Sequence, residues 1–446
     1  MHMLVQFTIE NFRSIQEETT FSMQTAPYLK KLKNSNTLMT EPVNLLKSSL
    51  IFGANGSGKT NLFKAIETLK GILLNFKRKK NTKLPFQPFK MVSNHEASFT
   101  TFEIILMIDG TLFKYTLKYN EEFIQKESLV KVRKSTDYVI FSRDYNFDDS
   151  TQSYELSNGI SDLTSITRKT IPYLSILANF NDSVAMKILS WFEESLVTVG
   201  ADFETSRYRH VYEKLENKKL KEKLLMFLKV ADFNIVDIEL RKRKEKIPEK
   251  FKLIFETLFE EDSEKDNDDF MEILDIFTVY NTYDSNFDVI DKAFLHADSY
   301  ESRGTNKMIL ISLILLDAIE NGKTLLIDEF DNAFHVAISS FLLKVFNSEF
   351  YNQSSQFILN THDLSLLDSS ILRVDQVWFV EKDKHNSSDF YSLYDFNDSH
   401  NRASSDMSFA KDYMSGKFGA VPVVNESALS NNIFVRGEKH GTSKKG

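Results

Sequence analysis

The feature that most constrains this chain is a glycine-rich loop between an apolar run and a helical pattern. Residues 47–52 form a short apolar run, and apolar residues between 59 and 76 recur at the spacing of one helix face. The loop matches G-x-x-x-x-G-K-[ST] with one additional glycine. Strand, loop and helix in this order predict a phosphate-binding loop, because backbone N–H groups and a helix N-terminus attract phosphate. The loop residues are Gly53, Ala54, Asn55, Gly56, Ser57, Gly58, Lys59 and Thr60.

The last residues of the loop predict the ligands, which are ATP and Mg²⁺. Lys59 is expected to reach the β- and γ-phosphates, and the Thr60 hydroxyl is expected to hold the metal. Asn61 follows directly and is expected to line the same nucleotide site. The alternative is a chance match of a short pattern, which the motifs further along the chain make less plausible.

An apolar strand that ends in two carboxylates predicts the second half of the site. Thr324–Ile327 is a continuous apolar run, typical of a strand buried on both faces of a parallel sheet. We expect Asp328 to hold Mg²⁺ together with Thr60, and Glu329 to act as the catalytic base for the attacking water. Taken alone, the two acids would equally well be solvated residues at an ordinary strand end.

Two further motifs point to the same nucleotide. His362 follows another apolar strand, at the end where ligands of open α/β sheets bind, and is predicted to sense the γ-phosphate as a catalytic residue. A lone histidine with a structural role is the alternative. Ser302 and Gly304 precede an apolar helix and resemble the signature of ABC-type ATPases, in which a helix N-terminus faces the nucleotide of a second subunit.

Two candidates have weaker support from the sequence. Gln87 is the candidate for a glutamine that senses Mg²⁺ and water in ABC-type sites. Arg13, next to Phe12 and close to the first strand, is a candidate contact for the nucleotide. The alternative for the latter pair, a core phenylalanine and a surface arginine, stays open.

The order of the patterns predicts an α/β fold: an ABC-type P-loop ATPase core with a mixed, mostly parallel sheet, an antiparallel β-subdomain and an inserted, mainly helical arm. The predicted divisions are 1–145 for the N-terminal ATPase lobe, 146–285 for the arm, 286–430 for the C-terminal lobe and 431–446 for a flexible tail. Within the arm, residues 212–230 are the clearest helical pattern, and residues 260–269 predict an acidic, mobile loop. Asp109-Gly110 between two alternating runs predicts a hairpin in the β-subdomain.

Composition argues against several other classes of protein. The chain has no cysteine and a net charge of −8, which argues against disulfides and against a protein that coats nucleic acid over its whole surface. No targeting segment or run long enough to span a membrane is present, so we expect a cytoplasmic protein without membrane contact. Basic runs at residues 77–80 and 241–244 are candidates for a local nucleic-acid face, with a solvated surface as the alternative.

Several motifs together resemble the SMC/RecF/OLD-type ABC ATPases. They are Asn11-Phe12-Arg13-Ser14-Ile15, the phosphate loop with Asn61-Leu62, residues 328–332 and residues 360–363. Within that class, residues 375–383 and 413–422 resemble the RloA/AriA-type AAA ATPases of prokaryotic defence loci. The chain departs from the family at Val336, where a proline often follows the histidine, and at Arg303, which precedes the signature glycine. The second departure concerns the details of the site shared between subunits.

The resemblance implies an ATPase that senses phage infection, through a phage protein as trigger, and controls a separately encoded effector. The implied effector is a TOPRIM-type nuclease, and the implied assembly is a homo-oligomer built from ATP-sandwich dimers. The chain beyond His362 is shorter than a nuclease domain of usual size, so we expect any nuclease to act in trans. The alternatives are a RecF-like DNA-repair ATPase that clamps DNA and an ATP-bound scaffold with little turnover.

Overall fold

The computed structural model describes residues 1–75, 82–92, 98–147, 151–158, 160, 162–200, 208–246, 270–332, 334–396 and 408–421. The basic run at 77–80, the acidic loop at 260–269 and the tail at 431–446 lie outside these residues. The helices in the described ranges are α1 (Lys33–Asn36), α2 (Lys59–Leu74), α3 (Tyr173–Asn179), α4 (Ser183–Ser190), α5 (Arg209–Tyr212), α6 (Lys218–Val230), α7 (Ala297–Tyr300), α8 (Arg303–Asn321), α9 (Val336–Phe346) and α10 (Phe409–Met414).

The strands belong to two large sheets, one three-stranded sheet and one short pair. Their bounds are β1 (His2–Glu10), β2 (Thr19–Ser22), β3 (Thr37–Leu38), β4 (Leu45–Leu46), β5 (Ser48–Phe52), β6 (Thr100–Ile108), β7 (Thr111–Tyr119), β8 (Ile124–Val132), β9 (Tyr138–Asn146), β10 (Thr151–Leu156), β11 (Leu196–Val199), β12 (Asp237–Lys246), β13 (Phe270–Tyr283), β14 (Val289–His296), β15 (Thr324–Ile327), β16 (Gln356–Asn360), β17 (Val377–Lys382) and β18 (Ser388–Ser392).

The central sheet is mixed and mostly parallel, as predicted. Its strand order is β11-β15-β16-β5-β17-β18. The first five strands pair in parallel, and only the edge strand β18 runs antiparallel to β17. Strands from both ends of the chain are therefore neighbours, because β5 lies between β16 and β17. This arrangement confirms a single α/β core assembled from two distant stretches of sequence.

The antiparallel β-subdomain is also confirmed. Its strand order is β10-β9-β8-β7-β6-β1-β2, so it includes the first two strands of the chain. The predicted hairpin joins β6 and β7, and Asp109 and Gly110 adopt the positive φ angles of 50° and 73° that a tight turn of this kind requires.

The core lies on both faces of the central sheet, because side chains alternate along each strand. On β15, Leu326 packs toward α2 and the antiparallel sheet, whereas Leu325 and Ile327 pack toward α6, α8 and α9. The strands β5 and β16 divide their side chains in the same way. Both faces are covered, which explains why these strands read as continuous apolar runs.

The described residues of the predicted arm contain strands as well as helices. The helices α3 to α6 are present, but β12, β13 and β14 form a separate antiparallel sheet, and β11 is an edge strand of the central sheet. The predicted boundary at residue 285 falls inside the hairpin between β13 and β14. The exposed part of β12 carries mostly charged side chains. Its pairing with β13 is a long-range contact that an apolar pattern does not reveal.

The helix predicted at residues 212–230 is interrupted. The continuous helix α6 begins only at Lys218, because the side chain of Asn217 accepts hydrogen bonds from the backbone N–H groups of Lys219 and Leu220 and caps the helix there. The preceding residues, Glu213–Glu216, form a 3₁₀ turn.

One buried side chain connects the two large sheets. Gln356, the first residue of β16, donates to the Leu4 carbonyl and accepts from the Leu4 N–H, each at 2.8 Å. It is fully buried, so water cannot replace it as a partner. The glutamine therefore fixes β1 of the antiparallel sheet against the central sheet.

No helix in the described stretches has the length and apolar character needed to cross a lipid bilayer.

We predict that Gln356→Leu lowers the free energy of unfolding by about 2 to 4 kcal/mol, because it leaves the buried N–H and carbonyl of Leu4 without partners. Chemical denaturation followed by tryptophan fluorescence measures the change. The control is Gln24→Leu at an exposed position, for which we expect a change within about 0.5 kcal/mol. Equal effects of both substitutions would contradict the role of Gln356.

Candidate functional site

The candidate site lies at the carboxyl end of the central sheet. Neighbouring strands β15, β16 and β5 run parallel, so their carboxyl ends meet at one edge. Asp328 follows β15, Thr361 follows β16 and Gly53 follows β5. Polar residues after each strand are thus brought together although they are far apart in sequence. This edge is where open α/β sheets bind ligands.

The phosphate loop has the shape of an anion cradle. Gly56 and Gly58 have φ angles of 75° and 108°, which favour glycine, and Gly58 is the residue that precedes the first turn of α2. No side chain caps this helix, so the positive end of its dipole faces the loop without a protein side chain bound to it. Within the described part of the chain, the buried Ser57 hydroxyl also has no hydrogen-bond partner. These features fit a bound phosphate chain.

Lys59 is buried and directed back onto its own loop. Its Nζ donates to the carbonyls of Gly53 at 2.8 Å and Ala54 at 3.0 Å. Burial lowers the pKa of Lys59 to about 8, while the carboxylate of Asp328 and those close to it act in the opposite direction. Phosphate oxygens at the loop would add negative charge beside this ammonium group and favour its protonated form.

A hydrogen bond joins the two halves of the site. Thr60 Oγ1 donates to Asp328 Oδ1 at 3.1 Å, across 268 positions of sequence. Asn360 Nδ2 also donates to this carboxylate oxygen. A hydroxyl and a carboxylate are oxygen ligands of the kind that Mg²⁺ accepts, and the ion usually completes its shell with phosphates and water. The two residues therefore fit the metal that the sequence predicts.

Glu329 stands beside this pair in a strained conformation. Its φ angle is 47°, in the left-handed region that non-glycine residues rarely adopt. Its N–H donates to Asn360 Oδ1 at 2.5 Å, and its carboxylate accepts from Asn332 Nδ2 at 3.1 Å. Backbone strain of this kind collects at functional sites. The geometry suits a carboxylate that must be held in one position.

His362 lines a cavity of about 700 Å³ together with Gly53, Ala54 and Asn55 of the phosphate loop. Its backbone N–H donates to Asp331 at 3.2 Å. Partial burial, reinforced by the Lys59 ammonium group, lowers the pKa of His362 and so favours the neutral imidazole. A neutral ring can donate one hydrogen bond toward a phosphate.

Arg13 and Gln87 lie together but line a different cavity, of about 610 Å³. The backbone N–H of Arg13 donates to the backbone carbonyl of Gln87 at 2.7 Å. Asn61, from the first turn of α2, lines the same cavity and donates to the Ser14 hydroxyl at 2.5 Å. The structure thus brings Arg13 and Gln87 beside the phosphate-loop helix, in a cavity separate from the one that His362 lines. Their contacts with nucleotide stay predictions.

The signature candidates begin the helix α8. The Ser302 side chain caps it by accepting from the Thr305 N–H at 3.0 Å, and Gly304 lies in the first turn. Because Ser302 is exposed, it is accessible to a second copy of the chain. The contact with a second copy's nucleotide stays a prediction.

Two functional candidates were missed from the sequence. Asn360 orients Asp328 and Glu329 at once. Lys307 on α8 donates to the backbone carbonyls of Glu329 at 2.8 Å and Asn332 at 2.7 Å. A polar residue at the end of an apolar strand, and a lysine at the start of an apolar helix, are the signals that point to them.

The basic run on β12 is largely compensated by carboxylates. Lys242 pairs with Glu216 at 3.1 Å, and Arg243 pairs with Asp275 at 2.7 Å. This pairing favours the solvated-surface interpretation over a nucleic-acid face.

The strand order and the phosphate loop define an α/β protein with a P-loop. Residues 48–368 match the family described as "AAA domain, putative AbiEii toxin, Type IV TA system". Since this match covers more than half of the sequence, the chain belongs to that family. The more specific resemblance to the RloA/AriA type stays a prediction.

Solved structures similar to the chain include the SMC head domain from Thermotoga maritima, with 12% identity and a TM-score of 0.36 over 87% of this chain and 98% of that one. Another is an SMC head bound to the C-winged helix domain of ScpA, with 11% identity and a TM-score of 0.36 over 87% of this chain and 97% of that one. Both similarities are weak, and the fold assignment rests on the strand order. A comparison with curated proteins finds no match.

We predict that Gly58→Ala disrupts the phosphate loop. A Cβ at this position would overlap the hydroxyls of Ser388 and Ser14, and alanine would be strained at a φ of 108°. We expect nucleotide affinity to fall at least about tenfold, measured by titration calorimetry, since loop and helix must rearrange. The control is Gly71→Ala within α2, where a Cβ meets nothing and affinity should stay unchanged. Equal affinity of Gly58→Ala and the unmodified protein would contradict the loop geometry.

Proposed function

We propose that this protein binds and hydrolyses ATP. The observation that carries the proposal lies at the carboxyl ends of the parallel strands. There Lys59 and Thr60 from the phosphate loop lie beside Asp328 and Glu329, which follow β15. The bond between Thr60 and Asp328 joins the two segments directly. A phosphate cradle next to a strained, well-held carboxylate is the arrangement that hydrolysis of a phosphoanhydride needs.

Each side chain has a distinct task in this proposal. Lys59 exchanges its two loop carbonyls for phosphate oxygens and stabilises their charge. Thr60 and Asp328 would hold Mg²⁺, which neutralises charge on the β- and γ-phosphates when it is bound. Glu329 orients the attacking water and accepts its proton. His362 donates a hydrogen bond toward the γ-phosphate.

The proposed assembly is a dimer with ATP between two copies, from which larger oligomers can be built. The first turn of α8, with Ser302 and Gly304, would close on the nucleotide held by the other copy's loop. The exposed Ser302 and the helix N-terminus support this arrangement, because both are suited to bind a phosphate. Hydrolysis then separates the copies and gives the protein two states.

The biological role we propose is that of a cytoplasmic sensor in defence against phage. A phage protein would be the trigger, and a separately encoded effector, a TOPRIM-type nuclease, would be the output. The motifs shared with RloA/AriA-type ATPases support this role, and the family description refers to a toxin of a type IV TA system. A DNA-clamping role would instead give duplex binding that falls steeply with salt.

We predict that Glu329→Gln retains ATP and slows its hydrolysis by about 10² to 10⁴, because the amide cannot accept the proton of the attacking water. ATP affinity and steady-state phosphate release measure the two effects separately. Lys59→Ala is the companion variant, and we expect it to lose most ATP binding. Hydrolysis by Glu329→Gln at the rate of the unmodified protein would show that the base lies elsewhere.

We predict that variants of Lys59 and Ser302 complement each other when they are mixed. A dimer of one Lys59→Ala copy and one Ser302→Arg copy has one doubly defective site and one intact site, if each site uses residues of both copies. Turnover should therefore reappear in the mixture, although each variant alone is inactive. A mixture that stays inactive, although co-purification through two different affinity tags shows that mixed dimers form, would exclude the shared site.

A further inference from the structure

Lys307 is a buried lysine in the second turn of a largely apolar helix. Only 4% of its surface is exposed, and its Nζ donates to the carbonyls of Glu329 and Asn332. The ammonium group also lies 5.2 Å from the centre of the Phe334 ring. Burying a charged group costs several kcal/mol unless hydrogen bonds and nearby charges compensate it. Burial accordingly lowers the pKa of Lys307 to about 8, although Asp331 and Glu329 favour the charged form.

The carbonyl that Lys307 binds belongs to the strained residue of the site. A non-glycine residue in the left-handed region costs about 1 to 3 kcal/mol and persists only when its surroundings hold it. The Glu329 N–H is fixed by Asn360, and its carbonyl is fixed by Lys307 and by the Asn332 N–H at 3.0 Å. Lys307 thus supplies one of the bonds that maintain the strained backbone.

Lys307 also acts on the carboxylate through Asn332. It donates to the Asn332 carbonyl, and the side-chain amide of Asn332 donates to Glu329 Oε2. One ammonium group therefore bridges the backbone of Glu329 and the residue that holds its side chain. Its removal would release both contacts at once.

The position of Lys307 on α8 connects this turn to the signature. Ser302 caps α8 and Gly304 lies in its first turn, so both are fewer than two helical turns from Lys307. Lys307 and these residues lie on one continuous helix, so a displacement of the whole helix would move them together. A group bound at Ser302 can thereby change the position of Glu329, although no side chain there touches the carboxylate.

We propose that Lys307 is a positioning residue that couples the N-terminus of α8 to the carboxylate of Glu329. The coupling rests on the ATPase function proposed above. When the N-terminus of α8 is seated on a phosphate, Lys307 holds Glu329 in the left-handed conformation and aligns it with the attacking water. When α8 moves away, the turn relaxes and the carboxylate loses its alignment. Hydrolysis then occurs only in the closed dimer.

Lys307→Met tests the proposal, because methionine fills a similar volume without the ammonium group. We expect kcat to fall on the order of tenfold to a hundredfold, as expected for a misplaced catalytic group, with ATP affinity changed less than about threefold. Lys307→Arg should recover part of the loss, since a guanidinium group can donate to both carbonyls. In the Glu329→Gln background, Lys307→Met should cause little further loss, because both residues act through one carboxylate.

The matched control is Lys47→Met. Lys47 is buried to the same degree, its pKa is likewise lowered to about 8 by burial, and it donates to the Ser348 carbonyl at 3.1 Å. It precedes β5 and is therefore at the opposite edge of the sheet from the site. We expect this variant to lose stability and to keep kcat per folded molecule. Equal losses of kcat in the two variants would show that the effect of Lys307 is only structural.

Hydrogen–deuterium exchange tests the anchoring without any turnover. Lys307→Met should speed exchange several-fold in residues 328–332, while Lys47→Met leaves that segment unchanged. Unchanged exchange there in Lys307→Met, or additive losses with Glu329→Gln, would overturn the proposal. If the unmodified protein does not hydrolyse ATP, the proposed function fails. The proposed effect of Lys307 on hydrolysis then fails as well. The exchange measurement then still decides whether Lys307 anchors the turn.

Discussion

The hydrogen bond from Thr60 to Asp328 is the contact on which the rest of the site depends. It joins the start of α2 to the end of β15, two elements that are far apart in the chain. The contact forms because β16 lies between β15 and β5, so that all three strands end at one edge. Asp328 is almost fully buried, and a buried carboxylate is tolerated only when it is hydrogen-bonded. Thr60 and Asn360 provide those bonds.

The site is also a cluster of opposite charges. Two buried lysines, Lys59 and Lys307, share the field of the same carboxylates, and burial lowers the pKa of each to about 8. Lys59 belongs to the segment that would bind phosphate, whereas Lys307 belongs to the helix that would face a second copy. The carboxylates at residues 328, 329 and 331 lie within the field of both. A change in the charge or position of Lys59 or of Lys307 therefore alters the electrostatic field at the same carboxylates.

Local sequence patterns were sufficient to predict the short segments whose structure depends mainly on their own residues. The strand Thr324–Ile327 has the predicted bounds, because an apolar run ends abruptly at charged residues on both sides. The Asp109-Gly110 turn and the phosphate loop are likewise set by glycine positions. The grouping of Lys59, Thr60 and Asp328 was predicted from the phosphate-loop motif and from the two carboxylates that follow a buried apolar strand.

Long-range contacts explain what the sequence did not predict. The strand β12 ends in charged residues and has no apolar alternation beyond Leu240, so only its pairing with β13 makes it a strand. The role of Asn360 depends on the neighbouring strand, and that of Lys307 depends on the packing of α8 against the turn after β15. Neither contact leaves a periodic signal, because each joins a single side chain to a distant backbone.

The most direct test of the central claim is a structure of the protein with Mg²⁺ and a non-hydrolysable ATP analogue. The expected result is that Lys59 Nζ contacts the β- and γ-phosphates, that Thr60 and Asp328 flank the metal, and that the Glu329 carboxylate faces the γ-phosphate. A triphosphate bound away from this edge of the sheet, or one that contacts Lys59 while Glu329 faces a separate cavity, would contradict it.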